Sequence, residues 1–386
     1  MSNIYGPNTF PAFWGLPADL SPEMINAAIA EAAPLLPDGA AVVAEGGWDA
    51  LMTHILGEGQ FGPNHWRLSS ARRLYYSLRP LLPVCARPLL RALLRRKQGN
   101  SFPLGWPIED RYVRFLYAAL DAVQRQCPGI QPLPFWPSGA RFAFVITHDV
   151  ESAAGQAFVR ALAAVDERYG FRSSFNFVPE GYPVDRSLIG ELHARGFEVG
   201  VHGLKHDGRL FSSRAEFERQ AARINACLRE WGAVGFRSPF THRHPEWLQS
   251  LEIEYDASFF DTDPYETIAG GTMSIWPFFC GRFVELPYTL AQDHILFEMG
   301  RDAQFWLDKV DFIARWGGMV LVNAHPDYLR EPAHLEIYEE FLQAMAGRRR
   351  NVEPDNAPAF WHALPRDLAR WWRQRANLML SGGPSS

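Results

Sequence analysis

Two histidines four residues apart, His202 and His206, follow the apolar run 197–201. Upstream, a second apolar run, Phe142-Ala143-Phe144-Val145-Ile146, ends in Thr147-His148-Asp149-Val150-Glu151. Two imidazoles and a carboxylate, each delivered by a strand end, make a three-ligand set with the fourth position open. That set belongs to catalytic rather than structural zinc. It predicts a metal-dependent hydrolase.

Each residue type has a chemical reason to be there and a plainer alternative. Side chains at i and i+4 of a helical turn point the same way, so His202 and His206 can meet one cation. Gly203 between them permits a tight bend. Alternation along a strand puts Asp149 and Glu151 on one side. One carboxylate can then bind metal while the other stays free as a base, because a shared charge pushes their pKa values apart. The plainer role is an acidic cap on a helix starting at Ser152-Ala153-Ala154. Capping accounts for either carboxylate singly but not for both. His325 closes the run Met319-Val320-Leu321-Val322-Asn323, where it can protonate a leaving amine. Asp327 is either its orienting partner or a turn residue. Arg237 ends the run Val234-Gly235-Phe236. There it can hold a catalytic carboxylate ionised or simply precede a proline turn. Phe259, Phe260, Tyr265 and Trp276 can wall a sugar by stacking, although aromatic clusters more often form core.

These residues need a scaffold that brings strand ends together. The chain has 386 residues, 47% of them hydrophobic and 21% charged, which is ordinary for a globular protein with one large α/β domain and a smaller one. The net charge of -5 excludes a global basic field for nucleic acid. Cys85, Cys127, Cys227 and Cys280 lie far apart without CxxC spacing, which argues against a disulfide scaffold and a cysteine zinc site. The start, Met1 to Pro7, carries no secretory pattern, and no apolar run is long enough to span a bilayer, so a cytoplasmic location is expected. Strands are expected at 142–147, 174–178, 197–201, 233–237, 256–260, 283–287 and 319–323. Helices are expected between them, at 153–168, 186–195, 213–231, 302–316 and 334–346. This alternation predicts a parallel α/β sheet or barrel, with the chemistry at the C-terminal strand ends. All the residues singled out sit at such ends.

Three parts are expected: a mostly helical accessory region over 1–135, the barrel over 136–350, and a C-terminal helix with a disordered tail over 351–386. The linker 128–137 is rich in proline. Leucines and arginines alternate over 72–97. This stretch can lie on an anionic membrane surface as a basic amphipathic element, or pack its leucines on the catalytic domain as a hairpin interrupted by prolines.

Over residues 140–330 the ordered motifs resemble the polysaccharide deacetylases of the NodB-homology family, carbohydrate esterase family four. Thr147-His148-Asp149-Val150-Glu151 stands where the family has Thr-Phe-Asp-Asp. His202 to His206 is its His-x-x-x-His, and Arg237-Ser238-Pro239 its Arg-x-Pro. The fourth motif lies near Asp256-Ala257-Ser258-Phe259, and the fifth is Leu321-Val322-Asn323-Ala324-His325. The resemblance implies an α/β fold, a distorted (β/α)7 barrel with an N-terminal accessory region. It implies removal of acetyl from an N-acetyl sugar with a divalent metal, zinc first, then cobalt, nickel or manganese. It assigns metal binding to Glu151, His202 and His206, catalysis to Asp149, His325 and Arg237, and substrate contact to Pro239, Phe240, Ser258 and Phe259.

Val150 occupies the place of the family's usual metal-binding Asp, which leaves two mappings open. In one, Asp149 is the base and Glu151 the ligand; in the other, Asp149 is the ligand, assisted by Glu151 or His148. The implied substrate is an N-acetylated sugar, polymeric, lipid-linked or nucleotide-linked, with no nucleic acid partner; a peripheral membrane contact is expected only on the membrane-surface reading of 72–97. The competing readings are a metal-independent C–N amide hydrolase on the same barrel and a non-catalytic glycan-binding pseudoenzyme.

Overall fold

In a computed structural model of the chain, residues 3–63, 65–67, 102–350 and 359–380 are described. The basic stretch 72–97 and the tail after 380 lie outside them.

The centre of the fold is β1 (Phe142–Val150), nine residues that are all buried. A strand buried on both faces reads as a continuous apolar run, as expected for a parallel sheet under helices. β1 pairs in parallel with β2 (Ser174–Phe177) on one edge and with β8 (Met319–Ala324) on the other. The sheet continues from β2 through β3 (Glu198–His202), β4 (Gly235–Arg237) and β5 (Tyr255–Asp256) to β7 (Phe283–Glu285). It ends at the antiparallel β6 (Phe278–Cys280). β9 (Phe360–His362) pairs with β1 at Phe142–Phe144, before the β2 pairing begins at Thr147. Segment 286–290 closes the curl: the N–H of Tyr288 donates to Phe259 O, and those of Thr289 and Leu290 donate to Leu321 O on β8. The result is the distorted (β/α)7-type barrel expected.

All seven expected strands are present, but their lengths changed. The run 256–260 is a regular strand only at Asp256; Ala257–Phe260 is extended chain that rejoins the sheet by one bridge, Phe260 to Tyr288. β6 and β9 were not foreseen, because three-residue edge strands carry no periodicity of their own. Within 351–386 the terminal helix starts at Pro365, after Trp361, which belongs to β9.

The described helices that matter here are α1 (Phe10–Trp14), α2 (Pro22–Ala32), α3 (Asp38–Ala44), α4 (Trp48–Leu56), α5 (Arg111–Gln126), α6 (Ala153–Arg168), α7 (Arg186–Ala194), α8 (Arg214–Trp231), α9 (Asp293–Glu298), α10 (Ala303–Trp316), α11 (Pro332–Arg350) and α12 (Pro365–Leu380). Ser152 and Ser213 cap α6 and α8 through their hydroxyls, each accepting from a backbone N–H three residues on. In the N-terminal region α5 buries Tyr112, Val113, Phe115, Leu116, Ala119, Leu120 and Val123 at helical spacing.

That region does not form a separate core. Phe13, Trp276 and Trp372 meet around Phe135 of the linker, with ring centroids 5.3, 5.5 and 6.3 Å away. Beneath them Arg375 of α12 is 3% exposed. It donates to the carbonyls of Ala12, Phe13, Leu133 and Pro134 at 2.8–3.2 Å. Burial draws its pKa down to about 10, so the guanidinium stays charged at neutral pH. α1, the linker and α12 are thus tied at one point. Replacing Arg375 with Leu strands several buried carbonyls. It should cost about 2–4 kcal/mol in urea unfolding, at roughly 1–3 kcal/mol per unsatisfied group partly relieved by water.

Candidate metal and catalytic site

β3 ends at His202, and the chain then bends at Gly203, whose φ of 66° is in the left-handed region. The two histidines meet by this bend and not by a helical turn; their ring centroids are 5.3 Å apart. His202 Nδ1 faces Arg237 O at 3.1 Å. A carbonyl only accepts, so Nδ1 carries the proton and Nε2 presents a lone pair. Burial holds the His202 pKa down, to about 4, against the pull of the Asp149 charge. A neutral imidazole is the form that binds metal.

Glu151 follows β1. Its Oε1 lies 3.0 Å from His206 Nε2, 4.0 Å from His202 Nε2 and 3.8 Å from His325 Nε2. Burial alone would raise the Glu151 pKa, but the His206 charge and hydrogen bond and then the His325 charge outweigh it and hold the carboxyl well below its usual range. One ligand atom each from Glu151, His202 and His206 fits within 4.8 Å. His202 Nε2 and His206 Nε2 are buried without a directed hydrogen bond. Two orphaned imidazole nitrogens and one carboxylate oxygen, converging on a single point, are what a divalent cation of borderline softness requires. The donor set fits the metal.

Asp149, also at this end of β1, is 2% exposed. Asn176 Nδ2 and Asn323 Nδ2 each donate to its carboxylate at 2.9 Å. Arg237 Nη1 approaches at 3.4 Å. Burial opposes the charge, and Arg237, His325 and the Asn176 hydrogen bond more than compensate, so the carboxylate is held well below its ordinary pKa. Arg237 is itself anchored by Ala257 O at 2.7 Å and Thr147 Oγ1 at 2.8 Å.

His325 stands at the end of β8. Its Nδ1–H donates to Asp293 Oδ1 at 2.7 Å, and its backbone N–H donates to Asp293 Oδ2 at 2.6 Å. Nε2 is left facing the site, 3.9 Å from Asp149 Oδ2. Burial disfavours the imidazolium, but the Asp293 charge and hydrogen bond prevail and raise the pKa to about 10.

Other expectations need correction. Asp327 does not orient His325; it accepts from Glu151 N at 3.1 Å and binds the Ser152 hydroxyl at the start of α6. His148 cannot assist, because strand alternation turns it to the opposite face. There it contacts Asp166 Oδ2 and Ala324 O, both at 3.1 Å. Ser258 and Phe259 are buried beneath the site rather than at its mouth. Ser258 Oγ donates to Asp256 Oδ1 and accepts from Ser238 N, and Phe259 packs against Phe278. Phe260 and Trp276 are likewise fully buried. Pro239 is buried against Gly203, where a Cβ would meet its ring at 2.4 Å. Phe240 is half-buried, its ring centroid 4.2 Å from that of His206.

Three contributors were missed. Asn176 pairs in register with Asp149, and Asn323 with Thr147 two residues before it. Both are polar residues in apolar strands, a signal that strand alignment would have exposed. Asp293 lies on a loop-borne helix, α9, and carried no such signal.

The sequence matches no protein-family model and no curated protein. Solved structures do resemble it. One, described as a probable polysaccharide deacetylase from Pseudomonas aeruginosa PAO1, is 16% identical, with a TM-score of 0.50 over 63% of this chain and 95% of that one. A second, described as Puue allantoinase, is 15% identical, with a TM-score of 0.50 over 63% of this chain and 94% of that one. The chain shares their fold.

Asp293→Asn should weaken the hold on the His325 proton. An acid that must be protonated gives the alkaline limb of a rate profile, so that limb should move to lower pH and the rate should fall on the order of 10²-fold. The wild-type shift also stabilises the fold. That contribution is complete below pH 6.5 and is lost as pH rises toward about 10. Asp293→Asn should therefore flatten the decline of unfolding free energy over this window in urea melts.

Proposed function

We propose that this protein is a divalent-metal-dependent carbohydrate N-deacetylase, a hydrolase that removes an acyl group from the nitrogen of an N-acylated sugar in a glycan or glycan precursor. The observation that carries this reading is the convergence of His202 Nε2, His206 Nε2 and Glu151 Oε1 on one point, beside a buried ionised Asp149 and a His325 held protonated by Asp293.

Glu151, His202 and His206 would hold the cation. When bound, it supplies Lewis-acid polarisation of the scissile carbonyl and makes a water more acidic. The chain's own residues do the rest. Asp149 takes the proton of the attacking water at its carboxylate. Asn176, Asn323 and Arg237 keep that carboxylate ionised and aimed. His325 gives its Nε2 proton to the departing nitrogen, with Asp293 orienting the ring through Nδ1. The backbone N–H of Phe240, in the turn after β4, stabilises the developing oxyanion. The products are a short carboxylic acid and a free amino sugar.

The crowding of three imidazole nitrogens around Glu151 Oε1 supports Glu151 as ligand and Asp149 as base. Asp149 has its oxygens engaged by two asparagines and an arginine, which suits a proton acceptor better than an inner ligand. Zinc is the first choice for a two-nitrogen, one-oxygen set, with cobalt, nickel or manganese as replacements. Among the described residues no helix is long and apolar enough to cross a membrane.

Metal stoichiometry by plasma mass spectrometry, followed by acetate release from N-acetylated sugars, tests the proposal. About one divalent ion per chain is expected in the wild type, and well under half in His202→Ala and His206→Ala. Asp149→Ala and His325→Ala should keep the metal but lose at least about 10²-fold in turnover. Turnover by a metal-free chain would move the assignment to a metal-independent C–N amide hydrolase. Sugar binding without turnover, indifferent to chelator, would make the protein a glycan-binding pseudoenzyme.

A further inference from the structure

The turn after β4 is built in an unusual way. Phe240 and Thr241 both adopt left-handed conformations, with φ of 57° and 52°. Neither is glycine, and such a conformation is strained for an L side chain. Strain of this kind persists only where the surroundings over-determine it. Three anchors do so here, and one of them is itself held by the N-terminal region.

The first anchor is Arg243, 2% exposed, whose Nη1 donates to Thr241 O at 3.0 Å. Arg243 lies over the ring of Phe260, 4.3 Å from its centroid, and its charge is matched by Glu58. Arg243 Nε donates to Glu58 Oε2 at 2.6 Å across 185 residues of sequence. Glu58 is 4% exposed and also sits at a positive φ, 55°. Against the cost of burial, the Arg243 charge lowers its pKa to about 2. Its Oε1 accepts from Gly271 N at 2.7 Å. Gly270 leaves room for this approach, since a Cβ there would stand 2.4 Å from Glu58 Oε1.

The second anchor is Glu266, 6% exposed, whose Oε2 accepts from Thr241 Oγ1 at 2.7 Å. Its Oε1 accepts from Tyr288 OH at 2.7 Å and from Gln292 Nε2. Gln292 Oε1 in turn accepts from Asn323 Nδ2 at 3.4 Å, and that same amide donates to Asp149. A continuous polar path therefore joins the turn to the base. The third anchor is the packing of Pro239 on Gly203, at the bend between the two histidines.

We propose that the N-terminal region is a working wall of this site, and that Glu58, Arg243 and Glu266 are positioning residues that hold the Phe240–Thr241 turn at the geometry the reaction needs. The inference rests on the deacetylase reading for its catalytic consequence but not for its structural one. Residues 262–271 share the wall. Gln60 Nε2 donates to Gly271 O at 2.7 Å, Thr262 Oγ1 donates to Gly105 O at 2.7 Å, and Trp106 meets Tyr265 edge-on at 4.8 Å. Without the N-terminal region the barrel would lose the partner of a buried arginine beside its catalytic turn.

The full chain is tested as Glu58→Gln, Glu266→Gln, Thr241→Val and Thr241→Ser. Two readouts are used: steady-state kinetics on an N-acetyl sugar that the wild type turns over, and hydrogen exchange of the peptide covering 236–243. The three disruptive variants should bind metal at wild-type stoichiometry and keep KM within about threefold, while kcat falls at least about tenfold. Thr241→Ser should recover most of what Thr241→Val loses. Exchange of the 236–243 amides should speed up at least about tenfold in the disruptive variants, with 198–206 unchanged. Unaltered exchange in folded Thr241→Val and Glu58→Gln would overturn the proposal, as would an unchanged kcat. A wild type that deacetylates no sugar would sink the deacetylase reading alone, and the exchange result would then decide whether the wall positions the turn.

Discussion

An ionised carboxylate buried at the mouth of a barrel is the constraint on which the rest of this structure turns. Asp149 is almost inaccessible, and an isolated charge in that position would cost far more than the fold could supply. It is tolerated because β1 is flanked on both sides by strands that each present an amide. Asn176 comes from β2 and Asn323 from β8, and Arg237 reaches in from β4. All three depend on parallel register. A slip of one residue in either neighbour would turn its asparagine to the helix side and leave the carboxylate stranded. The register that builds the sheet is therefore the same register that keeps this carboxylate ionised.

Buried acids elsewhere in the chain show what happens without such partners. Asp256 and Glu285, adjacent in the β5–β7 pairing, are both raised by burial, Glu285 further by the charge of its neighbour. Burial, then the Glu266 charge, raises Asp263 to about 8, and burial raises Glu198 to about 7. Burial pushes these groups toward the protonated form, in which they act as hydrogen-bonding parts of the frame. Asp149, Glu151 and Glu58 stay ionised because a cation or several donors face each of them. Partner placement, more than burial, separates carboxylates that carry charge from those that carry protons.

The N-terminal region belongs to this frame in two places. Away from the candidate site, an aromatic cluster around Phe135 and the carbonyl-bound Arg375 join α1, the linker and α12. Beside the candidate site, Glu58 neutralises Arg243 next to the turn that packs on His206. The first contact packs aromatic rings over a guanidinium bound to four backbone carbonyls and stabilises the fold. The second is polar and directional, so it can fix geometry as well as add stability.

Much of this was legible in the sequence. The seven strand runs, the alternating helices and the polar residues at strand ends predicted an α/β barrel with its chemistry at one end. His202, His206, Asp149, Glu151, Arg237 and His325 are brought together as their positions implied. That information is local: periodicity, strand-end position and residue type survive in a one-dimensional string. The sequence could not say that Ser258 and Phe259 lie beneath the site, that His148 faces the helices, or that Asp293 rather than Asp327 holds His325. Nor could it pair Glu58 with Arg243 across 185 residues. Those facts depend on which face a side chain takes and which distant segment meets it, and only closure of the sheet and packing of the N-terminal helices against it decide them. The amino-acid order determined which groups could do the chemistry; the tertiary structure decided which of them share a point in space, because a charge can be buried only where its partners have already been placed.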